Sequence, residues 1–538
     1  MKSIKVLDVT LRDGGCVNDF NFGKQYMEMI LHAEESAGID CIEVGYLDNK
    51  EGSKEGRTKF IDEKAVEKFI APKKSEIEYL AMMDYGKFDV EKVSERTESS
   101  IDGIRLAFHK RNLKEIPTIG SSILKKGYGL YIQPMLTIHY TDAELLELIN
   151  MVNDELPNCT AFYIVDSFGE MRANDMIRIV NLIDYNLLPN ISLGFHSHNN
   201  LQLSYSNAMA LLQFQTERNI ILDSSILGMG KGAGNFNTEL LVEHMNLYYG
   251  KKYNILPLMK VIDNVVTPLH VEYRWGYSIE YYLSSKYHVS PSYANYFYNK
   301  HSLSMSQLSD LLSRIDDEKR ISFDRDYARA IYHQYKAQYV VDDKKTILKL
   351  EESLNGRNIL LLAPGQKTTE CKDLIIKKIN DENAIVIGVN NYGLIDVDYL
   401  IVTRTELFER LRHKKIKIIT FPNITTDEKL AYIILNYDRW TISKGETYDS
   451  AGIVSLKLME FCSPKKIMLA GFDGLSWDLN KNYYDKSMRF AYTEDVIKNN
   501  NTVMKEYIHK LALKFDIEFI TPSEYEYIEK NSFGTVEK

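Results

Sequence analysis

This 538-residue sequence holds no disulfide framework. Its cysteines, Cys16, Cys41, Cys159, Cys371 and Cys462, are odd in number, scattered and without a Cys-x-x-Cys pair, which excludes a disulfide-stapled scaffold and a structural zinc knuckle. An excess of basic residues is missing too. Lys and Arg number 66 against 75 Asp and Glu, a formal net charge of −9, so nucleic acid is not an expected partner. No apolar stretch approaches a bilayer-spanning length, and the opening MKSIKVLDVT enters a strand pattern without an apolar signal segment. The expectation is a cytoplasmic protein with no membrane partner. Internal repeats and low-complexity tracts are also lacking. What remains is an ordinary globular composition, 44% hydrophobic and 26% charged, in a chain too long for one core, so two or more domains are expected.

The first 250 residues alternate β-branched runs with amphipathic stretches of helical length. The expected strands are Ile4–Thr10, Asp40–Tyr46, Ile77–Met82, Gly103–Phe108, Gly129–Leu136, Ala161–Asp166, Ile191–His196 and Asn219–Ile226. Eight strands, each followed by a helical crossover, predict an α/β fold of the (β/α)₈ TIM-barrel type over 1–250. An open doubly wound sheet would also alternate, but it would not bring residues after so many strands to one mouth. Residues 251–340 lose the strand rhythm and predict a helical extension dense in aromatics, as in HVEYRWGYSIEYYLSSKYHVSPSYANYFYNKH. The charged stretch Val341–Leu354 reads as a connecting helix or linker. From 356 to 538 a second α/β domain, Rossmann-like, is expected from RNILLLAPG, AIVIGVNN, VDYLIVT, IKIITF and KIMLAGFDG.

Three strand ends carry chemistry. LDVTLRDGG places Arg12 and Asp13 directly after the first strand. GFHSHNN, at the seventh, holds His196 and His198 two residues apart, hence on one face of the strand, where two imidazoles can converge on one point. GMGKGAGNFNTE, after the eighth, is a glycine-rich loop ending at Asn235, which lets backbone approach a ligand closely. Taken singly, each has a plain structural reading: a surface ion pair, satisfied histidines, a tight loop. Together, one carboxylate and two imidazoles supply a partial shell for a divalent cation with positions left open. Mn²⁺ or Mg²⁺ suits these donors, with Zn²⁺ or Co²⁺ able to substitute. A 2-oxo acid can chelate such a cation through its carboxylate and keto oxygens, and Arg12 beside it can stabilise a developing oxyanion.

The ordered motifs TLRDGG, AGIDCIEVGY, IDGIRLAFH, YIVDSFGEM, GFHSHNNLQLSYSNA and DSSILGMGKGAGN resemble the DRE-TIM metallolyase superfamily, which includes 4-hydroxy-2-oxovalerate aldolase, hydroxymethylglutaryl-CoA lyase, isopropylmalate synthase and homocitrate synthase. VDSFGEM and GMGKGAGN look most like the pyruvate aldolases. The resemblance implies a divalent-metal-dependent aldolase or lyase acting beside the carbonyl of a 2-oxo acid, with an aldehyde as partner. It implies Asp13, His196 and His198 as metal ligands, Arg12 as the enolate-stabilising residue, and Asn235 as a metal contact of some branches. Glu43, Arg105 and Asp166 fall at matching strand ends and are expected to shape the pocket, or to serve as structural ion pairs. Pyruvate aldolases of this group carry a histidine three residues after the aspartate, where this chain has Cys16. The condensing enzymes carry a glutamate where it has Gly15. Candidates for the missing acid/base group are Cys16, otherwise a packed residue, and His109 and His139, which follow strands four and five, with His288 further on. Tyr277, in the aromatic extension, is a candidate substrate contact. That extension reads either as a lid over the mouth or as a helical core or homo-oligomer contact.

The second domain weakly resembles a group related to hydroxymethylpterin diphosphokinase and some sialyltransferases. That resemblance implies a nucleotide or nucleotide-sugar site at Gly365, Asn390 and Asp473, and hints at a sugar-like aldehyde; the alternative is that these residues merely permit tight turns. Two rival readings stand beside the aldolase: a Claisen-type acyltransferase joining an acyl-CoA to a 2-oxo acid, and a non-catalytic barrel that carries the second domain.

Overall fold

The computed structural model describes residues 2–49, 55–442, 449–485, 488 and 494–526. The chain divides into two compact units, Met1–Ser292 and Tyr293–Lys538.

In the first unit, parallel strands β1 (Ile4–Asp8), β2 (Cys41–Leu47), β3 (Glu78–Asp84), β4 (Gly103–Phe108), β5 (Gly129–Pro134), β6 (Ala161–Asp166), β7 (Ser192–Ser197) and β8 (Ile220–Ser224) lie side by side in chain order. Pairing of β1 with β8 (Ile4 opposite Ile220 through Asp8 opposite Ser224) and with β2 (Leu7 opposite Cys41) closes the ring. The expected barrel is therefore present, and β4 and β6 match their expected bounds residue for residue. A two-residue strand, Lys59–Phe60, adds to β2 outside the ring. Both faces of the ring are dry. Leu7, Val9, Cys41, Leu80, Tyr131, Ala161, Tyr163, Val165 and Ile221 fill the interior, and the opposite faces pack on helices, which is why the strands read as continuous apolar runs.

The helices are α1 (Lys24–Ala37), α2 (Glu63–Ile70), α3 (Ile116–Lys125), α4 (Asp142–Glu155), α5 (Ala173–Asn186), α6 (Ser204–Gln213) and α7 (Thr238–Tyr249). α1 buries Met27, Ile30, Leu31, Glu34 and Ala37, a helical stripe, and stops at Gly38, which adopts the left-handed φ of 77° that a side chain resists. α4 starts on a capping box in which Thr141 and Glu144 each satisfy the other's backbone N–H. The expectation of a helix after every strand fails once: β3 is followed by a single 3₁₀ turn, Val90–Lys92. Beyond α7, helices Ile255–Val261 and Thr267–Tyr273 run on through a π turn at Ile262–Val266, and Ile279–Lys286 follows.

The boundary between the units falls inside the stretch expected as one helical extension. In the second unit the supposed connection is a helix, Lys344–Leu354, that buries Ile347, Leu350 and Leu354. Its leading Asp343 is buried as well, accepting hydrogen bonds from the Trp440 indole (2.5 Å) and the Asn436 backbone (2.8 Å). A helix is one of the two expectations for this stretch; its burial follows from apolar residues recurring at helical spacing among the lysines and glutamates. The sheet that follows is parallel and doubly wound: β9 (Asn358–Leu362), β10 (Ile385–Val389), β11 (Tyr399–Ile401), β12 (Lys417–Thr420), β13 (Ile433–Ile434), β14 (Lys466–Ala470) and β15 (Asp516–Phe519), in the order β13-β12-β11-β10-β9-β14-β15. The order reverses between β9 and β14.

Candidate active site

Directly after β1 the backbone turns, with Asp13 N–H donating to the Val9 carbonyl, and this aims Arg12 and Asp13 into the barrel mouth. His196 lies near the end of β7 and His198 just beyond it, and their rings stand 5.3 Å apart at 90°. Asp13, His196 and His198 are all buried, and one potential ligand atom from each lies within 4.8 Å of the others. The two imidazoles are held from behind. His196 Nδ1 is 2.9 Å from Asp223 Oδ2, and His198 Nδ1 is 3.1 Å from the Lys231 carbonyl. Acceptors at Nδ1 put the proton there and leave each Nε2 lone pair free, the tautomer a metal ligand needs. His198 Nε2 is 3.8 Å from Asp13 Oδ2.

The electrostatics agree. Burial pulls His198 down to about 4 in spite of Asp13, so its ring is neutral at physiological pH. Burial acts to raise Asp13, but His198, Arg12 and His196 outweigh it and hold the carboxylate ionised. Asn235 joins the set: its amide donates to Asp13 Oδ2 (2.7 Å) and the Met229 carbonyl (3.1 Å), while its Oδ1 is buried without a hydrogen-bond partner. Gly230 makes room for this pair, since a β-carbon there would stand 2.4 Å from Asn235 Nδ2 and 2.7 Å from Asp13 Oδ2. Two bare Nε2 atoms, an ionised carboxylate and an orphaned amide oxygen fit a divalent cation.

Beneath this layer runs a chain of buried charge. Arg12 donates through Nε to Glu43 Oε2 (2.7 Å) and through Nη1 to Asp13 Oδ1 (2.8 Å). Arg105 donates to Glu43 Oε2 (2.6 Å) and to Asp223 Oδ2. Glu43 and Arg105 are wholly buried and engaged in ion pairs. They occupy the third positions of β2 and β4 and hold Arg12 and Asp223. Arg12 Nη2 is buried with no partner. It is a donor awaiting an acceptor.

The remaining candidates scatter. Asp166 accepts from the backbone N–H groups of Glu170 (3.0 Å) and Met171 (3.1 Å), so it secures its own loop; burial pushes its carboxyl up to about 7. Cys16 is exposed at the mouth, yet crowding by protein and the charge of Asp13 push its thiol up to about 12, which makes it a poor proton acceptor. His109 opens the turn after β4, lowered by burial and by Arg111, and joins no carboxylate there. His139 pairs with Glu170 and does not belong to the Asp13 set. Tyr277 is 56% exposed; the tyrosine close to the glycine loop is Tyr281, whose ring a methyl group on Gly232 would meet at 3.7 Å. Sequence reasoning also missed Asp223 and Asp84. Asp84 ends β3 and is pushed up to about 6, chiefly by burial. A carboxylate at the end of a barrel strand was the signal available for it.

Residues 3–265 match the model of the HMGL-like family. The barrel is an HMGL-like domain. Among relatives, it resembles 4-hydroxy-2-oxovalerate aldolase of Shewanella halifaxensis, 28% identical over 50% of this chain and 78% of that one. The enzyme of the same name from Carboxydothermus hydrogenoformans is 29% identical over the same shares. A solved structure of the N-terminal domain of a candidate aldolase from Bacteroides vulgatus is 24% identical, covers 55% of this chain and 96% of that one, and superposes with a TM-score of 0.49. The family match lies within the first unit. Among the described residues no helix is long and apolar enough to cross a membrane.

In the second unit, Gly365 and Asp473 meet at the switch point between β9 and β14. A β-carbon on Gly365 would lie 2.5 Å from the Asp473 carboxyl carbon, and Asp473 Oδ2 accepts from the Lys367 N–H (2.8 Å). Burial pushes Asp473 up to about 6, and its Oδ1 has no partner. Asn390, at the end of the neighbouring β10, is engaged with Thr403 through both amide atoms, each at 2.9 Å.

Proposed function

We propose that the HMGL-like barrel is a divalent-metal-dependent aldolase that makes or breaks the carbon–carbon bond beside the carbonyl of a 2-oxo acid, with pyruvate as the 2-oxo acid and an aldehyde as its partner. The observation that carries this reading is the convergence of free His196 Nε2, free His198 Nε2 and ionised Asp13 next to the unpartnered Arg12 Nη2. Asp13, His196 and His198 would hold Mn²⁺ or Mg²⁺, with Asn235 Oδ1 beside them. A cation there supplies Lewis acidity toward a chelating 2-oxo acid. Arg12, pinned by Glu43 and Asp13, needs no reorganisation to donate Nη2 to the oxygen that becomes negative as the enolate forms. Water is kept from that oxygen by the burial of Arg12 and of both histidines. The relatives named 4-hydroxy-2-oxovalerate aldolase support a lyase. The Claisen reading has less support, because Gly15 occupies the place of the condensing enzymes' glutamate.

For the second unit we propose a nucleotide or nucleotide-sugar site at the switch point, where Gly365 makes room for the Asp473 carboxylate and Asp473 Oδ1 waits for a donor.

The deciding experiment is proton exchange. Protein supplied with Mn²⁺ and pyruvate in D₂O should replace the pyruvate methyl protons with deuterium, and Asp13→Ala should not. Exchange no faster than in a protein-free control would reject the enolate chemistry.

A further inference from the structure

A second set of donors shares no residue with the Asp13 set. His139, Glu170 and His288 come from three segments of the first unit: the 3₁₀ turn Thr137–His139 after β5, the loop after β6, and the turn after helix Ile279–Lys286. One potential ligand atom from each lies within 4.8 Å of the others. Glu170 is buried, its side chain 1% exposed, and each of its oxygens faces an imidazole: Oε1 the His139 Nε2, and Oε2 the His288 Nδ1 at 2.7 Å. The rings of His139 and His288 lie 6.2 Å apart.

Each donor is fixed by its own backbone. His139 N–H donates to the Leu136 carbonyl (2.9 Å), and the adjoining Thr137 Oγ1 accepts from Val165 N–H of β6 (2.8 Å). Glu170 N–H is held by Asp166. His288 sits at φ 54°, a left-handed conformation that costs a residue with a β-carbon, and Ser285 Oγ ties the preceding turn to the Phe168 carbonyl (2.7 Å). A strained residue that points its ring at a buried carboxylate is placed there by the fold.

The geometry points to a second divalent-cation site, held by His139 Nε2, Glu170 and His288 Nδ1 and suited to Zn²⁺. Two imidazoles and one carboxylate form a donor set that zinc takes with a fourth position open. Donors about 2.1 Å from a tetrahedral ion stand roughly 3.4 Å from one another, so a separation within 4.8 Å closes on an ion with small side-chain movements. The ion would also supply positive charge to a buried carboxylate. No residue is shared with the Asp13 set, so the site does not depend on the aldolase reading.

The test is stoichiometry. The full chain, stripped of metal and then equilibrated with excess Zn²⁺ and desalted, should retain about two ions by elemental analysis. His288→Ala should retain one fewer than wild type, and His196→Ala/His198→Ala likewise. His288 has a side chain 61% exposed, so its truncation leaves the core intact; Glu170→Gln, with circular dichroism to check folding, is the companion variant. Co²⁺ should give the wild type a visible absorption component that His288→Ala lacks. If His288→Ala retains as much Zn²⁺ as wild type and the same Co²⁺ spectrum, the site does not exist. If instead the His196/His198 variant keeps the wild-type content while His288→Ala loses an ion, the aldolase metal assignment fails and the second site stands.

Discussion

Arg105→Met tests whether the buried charge chain is what holds the mouth together. Arg105 is wholly buried between Glu43 and Asp223, with its guanidinium 4.7 Å from the centre of the Tyr163 ring. Methionine fills much of the stem's volume but leaves two carboxylates in the interior. Glu43 keeps Arg12; Asp223 keeps only His196, which in its metal-binding tautomer is uncharged. Stranding buried charge in this way costs about 3–5 kcal/mol. The loss should depend on pH in a defined direction. In the wild type, burial raises Asp223 but Arg105 and His196 outweigh it and hold it below the usual carboxylate range. Its contribution is therefore present above its unfolded pKa and fades as pH falls through the lower folded value. Without Arg105, burial dominates and the folded pKa moves above the unfolded one, so that contribution reverses sign and the variant is penalised as pH rises. The gap between variant and wild type should thus be widest near pH 7.5 and narrow toward pH 5. Because the chain has two compact units, the probe must be local: hydrogen exchange of the β4 and β7 amides against urea, read by mass spectrometry. A loss below about 1 kcal/mol at pH 7.5, against the 3–5 expected of a stranded charge, would refute the reasoning. So would a gap that grows as pH falls.

Gly230→Ala should weaken metal binding with little loss of stability, because its β-carbon would drive Asn235 and Asp13 apart; a calorimetric Mn²⁺ titration unchanged from wild type would contradict this. Arg12→Lys should keep the metal and lose about 10²–10³ in pyruvate proton exchange, since an ammonium cannot hold Glu43 and Asp13 and still present Nη2. Exchange within a few-fold of wild type would remove Arg12 from the mechanism. Asp473→Ala should abolish calorimetric binding of a nucleotide or nucleotide-sugar panel, and absence of binding by the wild type would dismiss that site.

The parts of the site that follow from strand position could be read in advance. Asp13, His196 and His198 sit at or just beyond strand ends, and period-two alternation says which way the histidines point. The same alternation says that Glu43 and Arg105 face inward but not how deep they lie along the barrel axis, and depth decides between lining a pocket and supporting one. Glu170 gave no signal because its partners are 31 and 118 residues away and neither is a neighbour on a regular element. Helical periodicity identified the aromatic segment, but Tyr277 precedes the helix that carries Tyr281, and which tyrosine nears the glycine loop follows from packing. The boundary at Ser292 follows from long-range packing, which no local composition reports.

The amide of Asn235 reaches across 222 residues of sequence to Asp13, and β1 finds its second neighbour only when β8 arrives. A nascent chain therefore carries Asp13 through almost the whole synthesis of the barrel before the other proposed donors emerge, so on that assignment metal capture would wait for them. Contacts of such sequence separation are the slowest to form. On the ligand set proposed above, an ion held by Asp13 and by donors from the far end of the barrel sequence would act as a clasp on its seam, adding its binding free energy to the last step of folding. Removal of that ion should loosen β1 against β8 before any other pair of strands.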